Sequence, residues 1–188
     1  MTRRRLLEAV LAIASVSLVF ALWWFRAHET VPRCVTRIES VTIRGTSLRG
    51  LAEPGETWFA AYGYYSCRVP ERGEIVLHDW AGNSAPVAKL IKAVPGDRLG
   101  FIEAAGPEGG TTLSINGVVA KTSQGDPYRF EPSEQRLLAL YLEDFGSLVP
   151  DDTFLLLSNR VSGTIDSRRF GFVRGTQLLA RMYPKRPG

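Results

Sequence analysis

Short runs of apolar residues, each broken by polar ones, recur along most of this chain, and one long stretch near its start departs from that pattern. Residues 6–25, LLEAVLAIASVSLVFALWWF, are apolar except for Glu8 and two serines. A helix needs about 20 such residues to cross a bilayer. Arg3, Arg4 and Arg5 precede the run, and Trp23 and Trp24 close it. Cationic residues stay on the cytoplasmic side and tryptophans suit the interface, so the pattern predicts three parts. These are a cytoplasmic N-terminus (1–5), a transmembrane anchor (6–25) and an extracytoplasmic domain (26–188). The apolar run is long for a signal-peptide core and RAHETVP offers no small-x-small cleavage site, so the anchor is expected to stay attached.

Beyond the anchor the pattern shortens. ETWFAAYGYY (56–65) is dense in aromatics, and RGEIVLHDW (72–80) and VAKLIKAV (87–94) are β-type runs, the second stopped by Pro95-Gly96. TTLSINGVVAK (111–121) places Asn116-Gly117 between two β-prone halves, the signature of a tight hairpin. GPEGG (106–110) reads as a loop before it. In SEQRLLALYLEDF (133–145) the period changes: Ser133 is a candidate cap, and Leu137, Leu138, Tyr141, Leu142 and Phe145 share one helical face, expected to pack on the sheet. Eighteen glycines and eleven prolines, spread along 188 residues, add many turns, and the whole predicts one mainly β domain.

Composition narrows the partners. Of the net charge of +4, three positive charges sit at Arg3–Arg5, which leaves no basic face for nucleic acid. The two cysteines, Cys34 and Cys67, lie on the exported side of this topology, where either a disulfide or two buried thiols would be compatible with the sequence. Together with His28 and His78 they show no close ligand spacing, so no metal is expected, and nothing matches a phosphate-binding loop or calls for a cofactor.

IRGTSLRG (43–50) sets Ser47 between glycines, where a serine is either a turn residue or a nucleophile. A nucleophile needs a base. His28 falls at the membrane boundary, and His78, although next to Asp79, stands in no triad context. A lysine buried among apolar groups loses up to about 3–5 pKa units and can then take a proton. AKLIK supplies Lys89 and Lys92. Strand alternation puts them on opposite faces, Lys89 with Val87 and Ile91, Lys92 with Ala88, Leu90 and Val94, and polarity alone does not choose between them.

The order GTSLRG, RVPERGEIV, AKLIKAVPGD and SNRVSGTIDSRRFG, spanning most of residues 43–173, resembles the type I signal peptidase family (S26), membrane-anchored serine endopeptidases with a mainly β catalytic domain. The resemblance implies that Ser47 is the nucleophile, that Lys89, eight residues before Asp97, is the general base, and that Asp166, Ser167 and Arg168 support the dyad. It also aligns Thr164 with a serine that often sits near the lysine, and Gly45 with a position where some relatives supply a second oxyanion donor. Ser47 is followed by Leu48, Arg49 and Gly50 instead of the family's Met-x-Pro, and the last block is one residue longer between Arg160 and Asp166.

A short chain with one anchor, a relaxed serine motif, the INGVV hairpin and the ending IDSRRFGFV is most similar to the TraF-type conjugative transfer peptidases. That implies maturation of pilin precursors at the bacterial inner membrane, with the N-terminus cytoplasmic and the catalytic domain periplasmic. The expected partners are a precursor polypeptide and the lipid bilayer. Residues Trp58–Tyr65 are expected either to shape a substrate groove or to pack the core. The alternatives are a housekeeping type I signal peptidase and an inactive membrane-anchored scaffold that keeps the fold.

Overall fold

A computed structural model describes residues 31–80, 85–103 and 110–185. The expected anchor, His28 and most of the GPEGG loop lie outside the described residues. Among those residues no helix is long and apolar enough to cross a membrane.

Among the described residues, eleven strands form two antiparallel sheets. The larger contains β1 (Arg37–Thr42), β2 (Thr57–Tyr62), β3 (Ile75–His78), β4 (Val87–Ala93), β9 (Thr153–Leu157), β10 (Val173–Arg174) and β11 (Leu178–Pro184), in the order β1-β2-β11-β3-β4-β9-β10. The smaller contains β5 (Leu99–Glu103), β6 (Thr111–Ile115) and β7 (Val118–Val119) in that order, with β8 (Arg129–Phe130) also pairing with β6. The aromatic-rich run, EIVLH and VAKLIKA thus become β2, β3 and β4, and the Asn116-Gly117 turn joins β6 to β7 with both residues at positive φ, 53° and 80°. Asparagine and glycine tolerate that left-handed conformation best, and so they close the hairpin.

Helix α1 (Pro132–Asp144) differs in detail from the expectation. It starts one residue before Ser133, because Pro132 occupies the first turn, where a missing N–H costs nothing, and the Glu134 carboxylate accepts the Glu131 N–H at 3.1 Å. Ser133 is therefore not the cap. Leu138 and Leu142 enter the core with Ala93, Leu113, Phe130 and Leu157, and the buried Glu134 extends that stripe. Phe145, by contrast, is 47% exposed, since the helix ends at Asp144 and the chain turns away before its side chain can join the face.

Two polar joints tie the sheets together. Asp97, in the Pro95-Gly96-Asp97 turn, accepts from Arg72 (2.5 Å), Asn116 Nδ2 (2.7 Å) and the Val94 N–H (2.9 Å). The second joint is α2 (Ser167–Phe170), where Ser167 Oγ accepts the Leu156 N–H of β9 at 2.9 Å while Arg168 reaches the Arg129 carbonyl of β8 at 3.2 Å. Cys34 and Cys67 form a disulfide, with 5.9 Å between their α-carbons, and it closes the segment that carries β1, Ser47 and β2. Of the expected groove residues, Trp58, Ala60, Ala61 and Tyr64 are buried in the core, and Phe59, Tyr62 and Tyr65 are half-buried.

Candidate active site

Ser47 follows β1 in a chain of tight turns. The Arg49 N–H bonds to the Thr46 carbonyl (3.2 Å), and the Leu51 and Ala52 N–H groups both bond to the Leu48 carbonyl (2.9 Å each). Gly45 (φ 73°) has open space around the position of a β-carbon, so its left-handed backbone and not crowding explains a glycine there. Gly50 (φ 87°) is likewise explained by its left-handed backbone, since the nearest group to a β-carbon there is the movable end of the exposed Gln124 side chain. Leu48 points inward into a cluster with Ile43, Trp58 and Leu90 and anchors the turn. Ser47 itself is half-buried, and neither its hydroxyl nor its N–H bonds to any described residue.

Lys89 sits in β4, paired with Val76 of β3 and on the face it shares with Ile91. It is only 6% exposed. Burial pushes its pKa below the usual lysine range, opposed by the Asp166 carboxylate and reinforced by the Arg168 guanidinium. Its amine makes no hydrogen bond or ion pair with any described residue. Lys92 is placed differently: its amine donates to the Lys121 carbonyl at 2.7 Å and lies 5.2 Å from the Tyr128 ring centroid. Val94 does not share the Lys92 side as simple alternation expected. A bulge between Ile91 and Ala93 shifts the register, so Ala93 joins the α1-side core and Val94 packs with Ile91.

The backbone brings the serine turn to the end of the Lys89 strand. Leu90 pairs with Leu157 and Ile91 with Leu156, so the ladder continued by one step sets Lys89 across from Ser158. Strand amides point to alternate edges. Those of Leu156 and Ser158 go to Ser167 Oγ and Asp166 Oδ2, on the edge away from β4. The Asn159 N–H therefore points to the β4 edge, and there it donates to the Ser47 carbonyl at 2.6 Å. The Ser47 carbonyl takes the place of a further β4 residue.

Asn159, which the sequence does not single out, braces the serine turn. It is 2% exposed, its Nδ2 donates to the Arg49 carbonyl (2.8 Å) and Ser123 Oγ (2.6 Å), and its Oδ1 accepts the Ser123 N–H (2.8 Å). Its backbone N–H and its side chain thus hold the serine turn at Ser47 and Arg49, and the side chain ties that turn to Ser123. The only sequence signal was its place in the SNR block.

Asp166, Ser167 and Arg168 are fully buried. Arg168 Nε and Nη2 grip Asp166 Oδ1 (2.9 Å) and Oδ2 (2.8 Å), a fork on a carboxylate. The same guanidinium donates to the Val161 carbonyl (2.6 Å) and Thr164 Oγ1 (2.7 Å). Burial alone would raise the Asp166 pKa, but these bonds and the Ser158 N–H hold it below the usual carboxylate range. Thr164 Oγ1 lies 2.8 Å from Asp166 Oδ2 and 2.5 Å from Ser158 Oγ, so its hydroxyl belongs to the Asp166–Arg168 cluster and does not bond to Lys89. Ser158 was also passed over, and its Oγ donates to Asp166 Oδ2 at 2.8 Å.

His78 is fully buried, its Nδ1 within 3.2 Å of the Asp79 carbonyl and its ring 5.6 Å from that of Phe170, with Nε2 unpartnered. Its neighbour's carboxylate makes no hydrogen bond to it, so His78 is assembled into no triad among the described residues. Among the described residues no group of three or more potential ligands could hold a metal.

No curated protein matches this chain. A signal peptidase I from Enterococcus faecalis V583, solved by crystallography, is similar at 22% identity and a TM-score of 0.39, over 61% of this chain and 97% of that one. The family model of signal peptidase, peptidase S26, matches residues 8–183. With nearly the whole chain matched, this protein belongs to the S26 signal peptidase family of serine endopeptidases, which act on precursor polypeptides.

Proposed function

We propose that the protein is a membrane-anchored serine endopeptidase in which Ser47 attacks and Lys89 is the base, and that it matures exported precursors, pilin in conjugative transfer above all. One observation carries the dyad: an almost fully buried lysine with a depressed pKa and no partner among the described residues stands next to the ladder end where the Ser47 carbonyl is pinned. A structural lysine in that setting would be paired, whereas a base must be neutral and free.

Neutral Lys89 Nζ takes the Ser47 Oγ proton as Oγ bonds to the scissile carbonyl carbon. The Ser47 N–H, which has no described partner, faces the charge that develops on the carbonyl oxygen; one such donor contributes about 10²–10³ in rate. The Lys89 ammonium returns the proton to the leaving amine, and a water, or an amine if one is presented, then resolves the acyl-enzyme with Lys89 as base again. The half-exposed turn leaves room for the chain, and β1, an edge strand among the described residues that is exposed along most of its length, leads through residues 43–46 to Ser47. A substrate segment adding to that edge would arrive with its acyl residue at the nucleophile.

The Cys34–Cys67 disulfide supports export to an oxidising space, and with Arg3–Arg5 before the apolar run it favours a periplasmic domain behind a single inner-membrane anchor. The pilin reading rests on the IDSRRFGFV ending and the INGVV hairpin; a housekeeping signal peptidase would use the same site on a wider set of preproteins. Replacing Lys89 with Ala abolishes precursor cleavage in reconstituted membranes with the fold intact, while Lys92→Ala keeps most activity. The reverse pattern would overturn the assignment.

A further inference from the structure

Beside the serine turn, on the side that follows Ser47 in sequence, lies an open pocket of about 270 Å³ that the dyad does not use. Its lining includes Arg49, Gln124, Asn159, Arg160 and Ser162. Asn159 spends its amide N–H groups on the Arg49 carbonyl and Ser123, but Arg49, Gln124, Arg160 and Ser162 each carry a hydrogen-bond donor, and two of them are guanidiniums. Arg160 Nη1 donates to Thr46 Oγ1 at 3.0 Å, and no carboxylate among the described residues pairs with Arg160. Arg49 reaches Glu53 only at 3.6 Å, with both side chains about half exposed, an ion pair of little strength.

We infer that this pocket is a subsite for an acidic side chain of the precursor, located just after the scissile bond. The placement rests on the proposed nucleophile: the acyl segment reaches Ser47 along β1, so the leaving segment continues past Ser47 toward Arg49 and the 159–162 loop. The charge follows from the lining, since an unpaired guanidinium presents a planar fork that a carboxylate fills with two bonds and an amide fills with fewer. Asn159 makes the subsite and the nucleophile one unit. The residue that contributes to the pocket also pins the Ser47 carbonyl and the Arg49 carbonyl, so a carboxylate seated there is held in fixed register with the reacting bond.

The test uses full-length protein in detergent and peptides that differ only in the first three residues after the scissile bond, bearing Asp, Asn or Lys. Binding to the Ser47→Ala protein, read by fluorescence anisotropy, is expected to be at least tenfold tighter for Asp than for Asn and weakest for Lys. In Ser47→Ala/Arg160→Gln the Asp-to-Asn ratio should fall toward one, and Ser47→Ala/Arg160→Glu should favour Lys. The wild-type kcat/KM should follow the same order. Equal binding of Asp and Asn peptides, or a ratio that Arg160→Gln leaves intact, would overturn the subsite whether or not Ser47 is the nucleophile. Cleavage that survives Ser47→Ala would instead remove the nucleophile and with it the placement beside the scissile bond. Arg160-dependent binding of phosphatidylglycerol vesicles without any peptide preference would reassign the pocket to lipid headgroups and refute the peptide reading.

Discussion

Replacing Arg168 with Met keeps the side-chain stem and removes the guanidinium, and so isolates the charge at the centre of the site. In the native protein that guanidinium makes two bonds to Asp166 and further bonds to Thr164 and to the carbonyls of Val161 and Arg129, all beneath the surface. Its loss leaves the Asp166 carboxylate buried with only the Ser158 amide and hydroxyl, Thr164 and the Arg168 N–H as donors, and it takes one bond each from the Arg129, Arg160 and Val161 carbonyls, the last of which keeps the Arg129 N–H. Breaking one partner of such a pair costs about 3–5 kcal/mol, a large share of the ~5–15 kcal/mol that a domain possesses. Asp166→Asn keeps the shape and is expected to cost about 2–3 kcal/mol. The double variant should be less destabilised than the sum of the two, by about 2 kcal/mol, because neither charge is then left alone.

Urea unfolding of the full chain in detergent micelles, at neutral and acid pH, reads all three values. The sign follows from the depressed Asp166 pKa: its stabilisation is complete above the ordinary carboxylate value of about 3.9 and is lost as pH falls through the folded value below it. The gap between wild type and Arg168→Met should therefore shrink on strong acidification. A loss under about 1 kcal/mol for Arg168→Met, or strict additivity in the cycle, would refute the view that the DSR segment is a single charged rivet between the sheets.

Asn159→Ala removes three side-chain hydrogen bonds, at about 1 kcal/mol each, while leaving its backbone bond to Ser47. A stability loss of about 2–4 kcal/mol with kcat reduced at least tenfold is expected, and unchanged kcat would sever the clamp from catalysis. His78 is held neutral by burial, assisted by the nearby Lys89 charge and opposed by Asp79, with its pKa lowered from 6.5 to about 4. The unfolded chain takes up that proton first as pH falls, so the wild type should lose up to about 3 kcal/mol between pH 6.5 and 4. His78→Leu should flatten that part of the profile, and an unchanged slope would count against it.

Several elements that carry this site are legible in the sequence. The β-type run that becomes β4 carries both lysines, although the bulge falls at Lys92 and simple alternation does not hold through it, and Asn116-Gly117 fixes the hairpin through backbone conformation. What could not be read depends on contacts far apart in the chain. The β-bulge that moves Val94 arises from pairing with β9, some 60 residues later in the chain, and β11, which fills the gap between β2 and β3, carries no local sign of where it inserts. Asn159 looks like any polar loop residue until Ser47, Arg49 and Ser123 are brought to it. Cys34 and Cys67 were equally compatible with free thiols, since spacing says nothing of the 5.9 Å approach that joins them. The expected orienting role of Thr164 met a competing claim: Arg168 and Asp166 already use its oxygen.

The proposed dyad requires that Ser47 reacts because Lys89, buried and unpaired among the described residues, is neutral enough to accept its proton. A serine-directed acylating probe, followed by intact-protein mass and peptide mapping across pH, tests it directly in full-length protein. The account predicts one adduct on Ser47, absent in Ser47→Ala and lost in Lys89→Ala. Its formation rate should rise with pH through an apparent pKa below the ordinary lysine value of about 10.4. An adduct that persists in Ser47→Ala, or a labelling rate that Lys89→Ala leaves unchanged, would contradict it.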